Sequence, residues 1–429
     1  MSPRQLLQAS FRAAVAAADP MQVIPRHLPV PPDHGHTLVL AVGKAAASMA
    51  RAVEQDWPAR KPISGIALTR YGHALPLARV RVVEAAHPVP DGTGEETARE
   101  MLSAAGALRA SDLLLALISG GGSALLSLPS PGIAIEDLRR VTRDLLRCGA
   151  TIQEINAVRK HLSAIQGGRL AAACRTNLLA LIVSDVTGDD PTHIASGPCA
   201  PDPTTFQDAL DVLNRYDIKP PRAVLAHLIA GVRGEREETP KPDSAVFRSP
   251  GRTIENRVIA SARQSLQAAA QVFREQGIEA AILGEAITGE ANEVAKVMAA
   301  MAREIRARGA PFKPPVALIS GGECTVTIRR PGGRGGRCGE FLLSLAVTLD
   351  GVAGVHALAA DTDGIDGTEH NAGALLAPDS LARARALGLD PRRLLAGHDS
   401  YGFFSALGDL VVTGPTLTNV NDYRAILIA

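Results

Sequence analysis

Two apolar, β-prone runs end in consecutive glycines. Leu117-Ile118-Ser119-Gly120-Gly121-Gly122-Ser123 closes the first, and Leu318-Ile319-Ser320-Gly321-Gly322-Glu323 closes the second, far downstream. Glycine lets the backbone turn sharply and lets an anion approach bare N–H groups. Val42-Gly43-Lys44 puts a lysine where a strand gives way to a helix, a position suited to phosphate or carboxylate. A surface lysine after a tight turn is the competing reading. Ser184-Asp185-Val186-Thr187-Gly188-Asp189-Asp190-Pro191 sets three carboxylates in one short loop. Clustered oxygen donors beside a phosphate site suit Mg²⁺, whereas Asp189 or Asp190 can equally cap the next turn. Gly332-Gly333-Arg334-Gly335-Gly336-Arg337 joins flexible backbone to two guanidiniums, which grip oxyanions bidentately. The alternative there is a solvated basic hairpin tip. Asp361-Thr362-Asp363-Gly364-Ile365-Asp366-Gly367 resembles the opening of a calcium loop, but the closing Glu position is Ala372, which excludes an EF-hand. A carboxylate cluster for Mg²⁺ or substrate hydroxyls fits better. In Asn156-Ala157-Val158-Arg159-Lys160-His161, the residues Asn156, Arg159 and Lys160 share one helix face. Such a face can bind an acidic substrate, although charged faces are more often simply solvated. His161 reads as structural.

These groups need a frame. Thr37–Val42, Ile63–Thr69, Val80–Glu84, Asp112–Ser119 and Leu178–Ser184 read as strands. Ala45–Glu54, Glu95–Ala110, Ile135–Cys148 and Ile152–Ala173 read as helices between them. That alternation predicts a mostly parallel sheet covered on both faces. Ligands then collect at the carboxyl ends of the strands, where the motifs above lie. Gly231–Arg252 is charged and proline-rich and reads as an exposed connection. The alternation then resumes with strands at Glu279–Leu283, Val316–Ser320, Val355–Ala360 and Asp409–Thr413, and helices at Ser261–Gln276 and Ala291–Arg308. The expected domains are 1–240 and 250–429, two α/β lobes offering one anion corner each, with the site in the cleft between them. A phosphate-handling enzyme follows from that arrangement.

Composition narrows the function. The chain has 429 residues, enough for two or three domains, and is 46% hydrophobic and 21% charged, a folded globular composition. A net charge of +1 and 3% aromatics argue against a dedicated nucleic-acid or membrane-surface binder. A nucleotide base would sit among aliphatic side chains. None of the five cysteines forms a C-x-x-C pair, so a reducing cytoplasm is the simplest home. Arg12 interrupts the apolar N-terminal stretch and Asp19-Pro20 ends it, which suggests an amphipathic first helix rather than a signal peptide. No G-x-x-x-x-G-K-[ST] occurs, and no G-x-G-x-x-G follows a strand with an acidic residue at the right distance.

The ordered set of motifs resembles the glycerate 2-kinases whose C-terminal region is the MOFRL domain. Val42-Gly43-Lys44-Ala45, Ala86-His87-Pro88-Val89-Pro90-Asp91, Ser119–Leu125, Asn156–Leu162, Ser184–Asp190 and Ser196-Gly197-Pro198 carry it in the first half. Ser320–Glu323, Gly332–Glu340, Thr362–Gly367 and Asn419-Val420-Asn421-Asp422 carry it in the second. The resemblance implies a Rossmann-like N-terminal lobe, a MOFRL C-terminal lobe, and ATP- and Mg²⁺-dependent phosphorylation of D-glycerate at its 2-hydroxyl. Lys44 and Arg337 match the family's cationic positions; Asp185, Asp189, Glu323, Asp363 and Asn419 match its other polar ones. The expected roles follow. Lys44, Arg337 and Asp189 are catalytic, and Asp185 and Asp363 hold the metal. Ser119, Gly120, Gly121, Gly122, Ser123, Asn156, Glu323 and Asn419 bind substrate or nucleotide. The expected partners are small molecules, with a homodimer allowed for. The usual Asn-Gln-Glu after the family's arginine is here Cys338-Gly339-Glu340, and Glu369-His370-Asn371 replaces the more usual Thr-Asp before Ala-Gly.

Two other readings compete. One is NAD(P)H-dependent reduction of hydroxypyruvate, a label that relatives often carry, against which the missing dinucleotide fingerprint counts. The other is a non-catalytic sugar-acid sensor, against which the retained charged residues count.

Overall fold

The computed structural model describes residues 1–328 and 332–429. The chain forms two compact units, one of Pro20–Ile259 and one of Met1–Asp19 with Ala260–Ala429. This differs from the expected division at 240–250. The Gly231–Arg252 stretch is largely exposed, yet it is tied into the unit that precedes it. Glu238 Oε2 accepts from Phe206 N at 3.0 Å, and Arg252 donates to the carbonyls of Cys174 and Ala171 at 2.6 and 2.7 Å. The first helix, Pro3–Ala16, goes to the other unit. It is amphipathic as expected, and Leu6, Leu7, Phe11 and Ala14 enter a core with Leu266, Phe273, Leu358 and Tyr423. Tyr423 donates its hydroxyl to Ser10 at 2.8 Å.

The 20–259 unit holds β1 (Thr37–Val42), β2 (Ile63–Arg70), β3 (Val80–Ala85), β4 (Leu113–Ile118), β5 (Asn177–Val183) and β6 (Ile254–Ala260), in the order β3-β2-β1-β4-β5-β6. The four pairings from β3 to β5 are parallel. Both faces are covered, so β1 and β4 are buried throughout, and their unbroken apolar runs reflect that. Because β2 and β4 flank β1 on opposite sides, the chain reverses its winding between β1 and β4, where open sheets bind ligands. Val42 and Ile118 are register partners, so Gly43-Lys44 and the Ser119 turn leave the sheet side by side. The expected Ile152–Ala173 helix is two helices, Ile152–His161 and Arg169–Ala173. Between them Gly167 and Gly168 adopt left-handed backbone, with φ of +60° and +81°.

The other unit contains β7 (Glu279–Gly284), β8 (Gly289–Glu290), β9 (Val316–Gly322), β10 (Cys324–Thr325), β11 (Val355–Asp361), β12 (Gly373–Leu376), β13 (Leu410–Val411) and β14 (Asp422–Ile428). Its main sheet runs β13-β12-β11-β14-β9-β7, and β8 pairs with β10 as a minor ribbon. The expectation of a mostly parallel sheet is corrected here: only β7 with β9 is parallel, and the other four pairings are antiparallel. Parallel neighbours need a crossover, whereas β11 reaches β12 through the 362–372 loop alone. The final strand, β14, enters from the loop edge and slots between β11 and β9. Asp361, Asp422 and Gly322 thereby become neighbours in register.

Candidate active site

In the 20–259 unit the two turns at the switch point lock together. Lys44 N donates to Gly120 O at 2.8 Å, and the buried Ser119 hydroxyl lies 3.1 Å from Ala45 N and 3.3 Å from Val42 O. A Cβ on Gly43, whose φ is +118°, would stand 2.2 Å from that hydroxyl and 2.4 Å from Ser119 O. Only glycine lets the turns approach so closely. Ser119 was expected to bind a ligand; its hydroxyl is instead spent on this staple.

Gly121, with φ of +79°, packs against His87 and Lys44. A Cβ there would lie 3.1 Å from His87 Nε2 and 3.2 Å from Lys44 Cγ. Among the described residues, no acceptor receives the N–H of Gly120 or Gly121. Two unspent amides, one of them on the buried Gly120, beside a lysine and an imidazole form an anion corner. His87 belongs to the Ala86–Asp91 motif, whose position in the sequence gave no hint that it would reach the turn. His73 lies below, with Nδ1 3.2 Å from the Lys44 carbonyl.

Ser123 continues the turn into a buried polar chain. Asn156 is fully buried; its amide donates to His193 O at 3.1 Å, and Ser196 Oγ lies 3.0 Å from Asn156 Oδ1 and 2.9 Å from Ser123 Oγ. The Asn156 amide orientation is set by the carbonyl, so Ser196 spends its proton on Oδ1, and Ser123 must donate to Ser196. Ser123 thus presents lone pairs outward. Asn156 was expected as a binding residue; it acts through this chain. Gly122 is also placed by packing, since a Cβ on it would lie 2.6 Å from Ala195 Cβ. Asp185 leaves the end of β5 half-buried, and Asp189 sits on a left-handed turn with φ of +55°. Asp190 caps the following turn by accepting from Thr192 N at 3.0 Å.

On the same helix as Asn156, Lys160 is buried and paired. Its ammonium lies 2.7 Å from Thr192 Oγ1 and 3.2 Å from Asp202 Oδ1. Burial holds the Lys160 pKa below its ordinary value against the pull of Asp202. The shared basic face does not form: Lys160 is a core cation.

In the other unit, Arg337 opens the Arg337–Leu349 helix and is gripped by three carboxylates. Nε donates to both oxygens of Asp422 at 2.8 and 2.9 Å, and one Nη donates to Glu323 at 2.9 Å and Asp361 at 2.7 Å. Burial alone would lower the guanidinium's pKa; the three carboxylates outweigh it and hold the pKa above its ordinary value. Among the described residues, nothing receives the protons of Nη1. Glu323 is half exposed, while Asp361 and Asp422 are buried. Asp361 was expected only within a carboxylate cluster for Mg²⁺ or substrate hydroxyls, and Asp422 had no expected role. Asp422 is legible only once β14 is known to be antiparallel.

Asp363 and Asn419 are buried within two interlocked loops. Asp363 Oδ1 accepts from Ile365 N at 2.9 Å and its carbonyl accepts from Thr416 N at 3.0 Å; Thr362 Oγ1 donates to Asn421 O at 2.7 Å. Beneath Arg337, Asp366 accepts from Cys338 N at 3.0 Å and Gly339 N at 2.8 Å. Burial pushes its carboxyl up to about 7. The departure at Cys338-Gly339 falls here: a Cβ on Gly339 would stand 2.6 Å from Ser400 Oγ. The helix start is packed onto Ser400 and has no space for a side chain unless Ser400 moves. A ligand-sized cavity adjoins it, lined by Val326, Gly333, Gly336, Arg337, Glu340 and His398.

Among the described residues, no group of three or more His, Cys, Asp or Glu side chains is arranged to hold a metal. That excludes an all-protein cage within them. Mg²⁺ bound to a nucleotide needs only one or two carboxylates beside phosphate oxygens and water, and the carboxylates at the strand ends fit that demand. No helix among the described residues is long and apolar enough to cross a membrane.

Comparison with known proteins places this geometry in a family. Residues 6–229 match the model described as Domain of unknown function (DUF4147), and residues 316–422 match the MOFRL family. A chain from Agrobacterium vitis that carries a provisional hydroxypyruvate reductase name is 50% identical, covering 100% of this chain and 95% of its own length. The glycerate 2-kinase of Pyrococcus horikoshii is 41% identical, covering 95% of this chain and 93% of its own. The crystal structure of the glycerate kinase of Thermotoga maritima superposes with a TM-score of 0.86 at 36% identity, covering 100% of both chains. With its glycine turns, its mixed C-terminal sheet and these relatives, the chain belongs to the MOFRL-domain glycerate 2-kinase family.

Proposed function

We propose that the protein transfers the γ-phosphoryl group of ATP to the 2-hydroxyl of D-glycerate, giving 2-phosphoglycerate and ADP, with Mg²⁺ required. The observation that carries the reading is the pair of unspent Gly120 and Gly121 amides beside Lys44 and His87 at the sheet's switch point. Phosphoryl transfer asks the protein chiefly for positioning and charge neutralisation. Lys44 and the two amides take phosphate oxygens and stabilise charge that grows in the transition state. Asp189 accepts the proton from the attacking hydroxyl; its oxygen bonds to the γ-phosphorus as the bridging oxygen leaves on ADP. Asp185, at the end of β5, is assigned to the metal, which when bound would neutralise phosphate charge. In the second unit, Arg337 offers Nη1 to an anionic oxygen, and the three carboxylates hold the guanidinium in a single pose. Exposed Glu323 takes a substrate hydroxyl, while Asn419 positions the loop that carries Asp422.

The test is direct. Incubation with ATP, Mg²⁺ and D-glycerate, followed by ³¹P and ¹H NMR, should give phosphate on C2. Phosphate on C3, or no glycerate-dependent ADP, would overturn the proposal. The reductase reading is favoured by one observation, the provisional name of the 50% identical relative. NADH oxidation with hydroxypyruvate, followed by absorbance, would establish it.

A further inference from the structure

Glu340 is a buried carboxylate with one oxygen unanswered. It lies on the Arg337–Leu349 helix and is 2% exposed. Its Oε1 accepts from Asn292 Nδ2 at 3.3 Å and lies 3.0 Å from His398 Nδ1. Among the described residues no donor reaches Oε2. A buried carboxylate oxygen without a donor is unfavourable, and the penalty is lifted when a ligand brings one.

Glu340 lines the cavity beside Arg337, which measures about 440 Å³. That is the size of a small-molecule or cofactor site and far exceeds the needs of a three-carbon acid. Its walls are of two kinds. Val326 and Ile328 form an aliphatic side, and Ile328 is 70% exposed there. Gly333 and Gly335 form a side of bare backbone. A Cβ on Gly333 would stand 2.0 Å from Gly397 O, and one on Gly335 would stand 2.2 Å from Ser400 Oγ. Packing against residues 397–400 therefore fixes this wall and keeps it free of side chains. No Phe, Tyr or Trp lines the cavity among the described residues, so a ring held there would lie against aliphatic groups.

Charge narrows the occupant. Asp422, Asp361 and Glu323 already meet the Arg337 guanidinium, so Glu340 leaves the wall with surplus negative charge. A free carboxylic acid would bring a second carboxylate towards Oε2, whereas an uncharged ring bearing hydroxyls brings donors. Spacing narrows it further. Glu340 follows Arg337 by three residues, which places their Cβ atoms about 5–6 Å apart on one helix face. Arg337 keeps Nη1 protons that no described residue receives. A group with an anionic oxygen at one end and hydroxyls about one helical turn away matches both residues. The ribose phosphate of a nucleotide has that form, and its base continues beyond the sugar.

We propose that this cavity takes the nucleoside end of the nucleotide, with Glu340 Oε2 accepting a hydrogen bond from a ribose hydroxyl while Val326 and Ile328 cover the base. The inference deepens the kinase reading and rests on it for the identity of the nucleotide, ATP. It makes Glu340 a residue that selects the phosphoryl donor, not the acceptor acid.

The test compares wild type with Glu340→Gln and Val326→Phe. Steady-state kinetics use ATP, 2′-deoxyATP, 3′-deoxyATP and ITP, each varied at saturating Mg²⁺ and D-glycerate. In wild type, one of the two deoxy analogues should show a KM about 10-fold or more above that of ATP, the loss of a hydrogen bond to a charged group. In Glu340→Gln, KM for ATP should rise to meet that of the same analogue, with KM for D-glycerate within about twofold of wild type. Val326→Phe narrows the cavity without touching a hydrogen bond, and should raise KM for all four nucleotides together. Calorimetric unfolding checks that the second unit folds in each variant, and Val326→Phe carries the test if Glu340→Gln does not fold. Equal KM for ATP and both deoxy analogues in wild type overturns the ribose assignment. So does a deoxy penalty that persists in Glu340→Gln, and so does a penalty seen with ITP alone, which would make Glu340 a reader of the base. Normal phosphoryl transfer with every nucleotide KM unchanged in both variants refutes the cavity and leaves the kinase reading standing. Where wild type transfers no phosphate, saturation-transfer NMR with adenosine decides. Adenosine bound by wild type and lost in Val326→Phe upholds the cavity and refutes the kinase reading, and no adenosine signal in wild type overturns both.

Discussion

Lys160→Met isolates the energetics of the element that carries Asn156 and Arg159. Both partners of the Lys160–Asp202 pair are essentially inaccessible, with side-chain exposures of 1% and 0%. At the observed 3.2 Å, unit charges attract by about 5 kcal/mol at an effective dielectric of about 20. Asp202 Oδ1 also accepts from Thr204 N at 3.0 Å and Thr204 Oγ1 at 2.7 Å, whereas Oδ2 has no hydrogen-bond partner among the described residues. Burial pushes the Asp202 carboxyl up; Lys160 and Thr204 outweigh it and hold the net pKa below the ordinary carboxylate value. Removing the ammonium leaves a buried charge facing no cation, at a cost of about 3–5 kcal/mol. Trp57 lies in the same unit and is buried, so its fluorescence follows this unit's unfolding. With a urea slope of about 3 kcal/mol/M, the midpoint should fall by about 1 M or more. The loss should shrink at low pH, because the unpaired Asp202 can then take up a proton. Lys160→Met/Asp202→Leu should recover most of the loss, since an apolar pair carries no desolvation penalty. A single variant that unfolds at the wild-type midpoint, or a double variant less stable than the single, would refute this account.

Other outcomes follow from the same contacts. Lys44→Ala should lower kcat/KM about 10²- to 10³-fold in a coupled ADP assay. Its Trp57 midpoint should hardly move, because the Lys44 N–H to Gly120 bond of 2.8 Å is backbone and remains. Gly43→Ala should cost more than about 2 kcal/mol in urea unfolding, because its φ of +118° and a 2.4 Å approach to a backbone carbonyl leave the methyl no room. Asp366 carries a sign that can be checked. Its folded-state pKa of about 7 lies above the ordinary 3.8, so the folded chain keeps a proton that the unfolded chain releases. The second unit should therefore lose stability as pH rises from about 4 to about 7 and then level off, by up to about 4 kcal/mol. Calorimetric unfolding of Asp366→Asn should show a flatter pH dependence than wild type; an unchanged slope would count against it.

Much of the first sheet was readable from residue order. Its central strands β1 and β4 are fully buried, so they appear as continuous apolar runs, and their glycine exits mark the binding edge before any contact is known. Val42-Gly43-Lys44 and the Ser119 turn could be assigned to strand ends because parallel βα units always present those ends to one side. The roles of individual groups were less legible. Ser119 and Asn156 have the chemistry of ligand residues, but the first closes a turn and the second supports Ser123. Lys160 looked solvated and is buried, because Asp202 reaches it from beyond the next strand.

Local pattern determined the strands β1 to β5 of the first sheet, the glycine corners and the lysine beside one of them, because periodicity and backbone freedom act over a few residues. Tertiary structure alone decided that the second sheet is mixed, that β14 carries Asp422 to the ends of β9 and β11, and that Arg337 meets three carboxylates from separate segments of the chain. Pairing between charges remote in sequence depends on strand direction and register, and those are set by how whole faces pack rather than by any local run of residues.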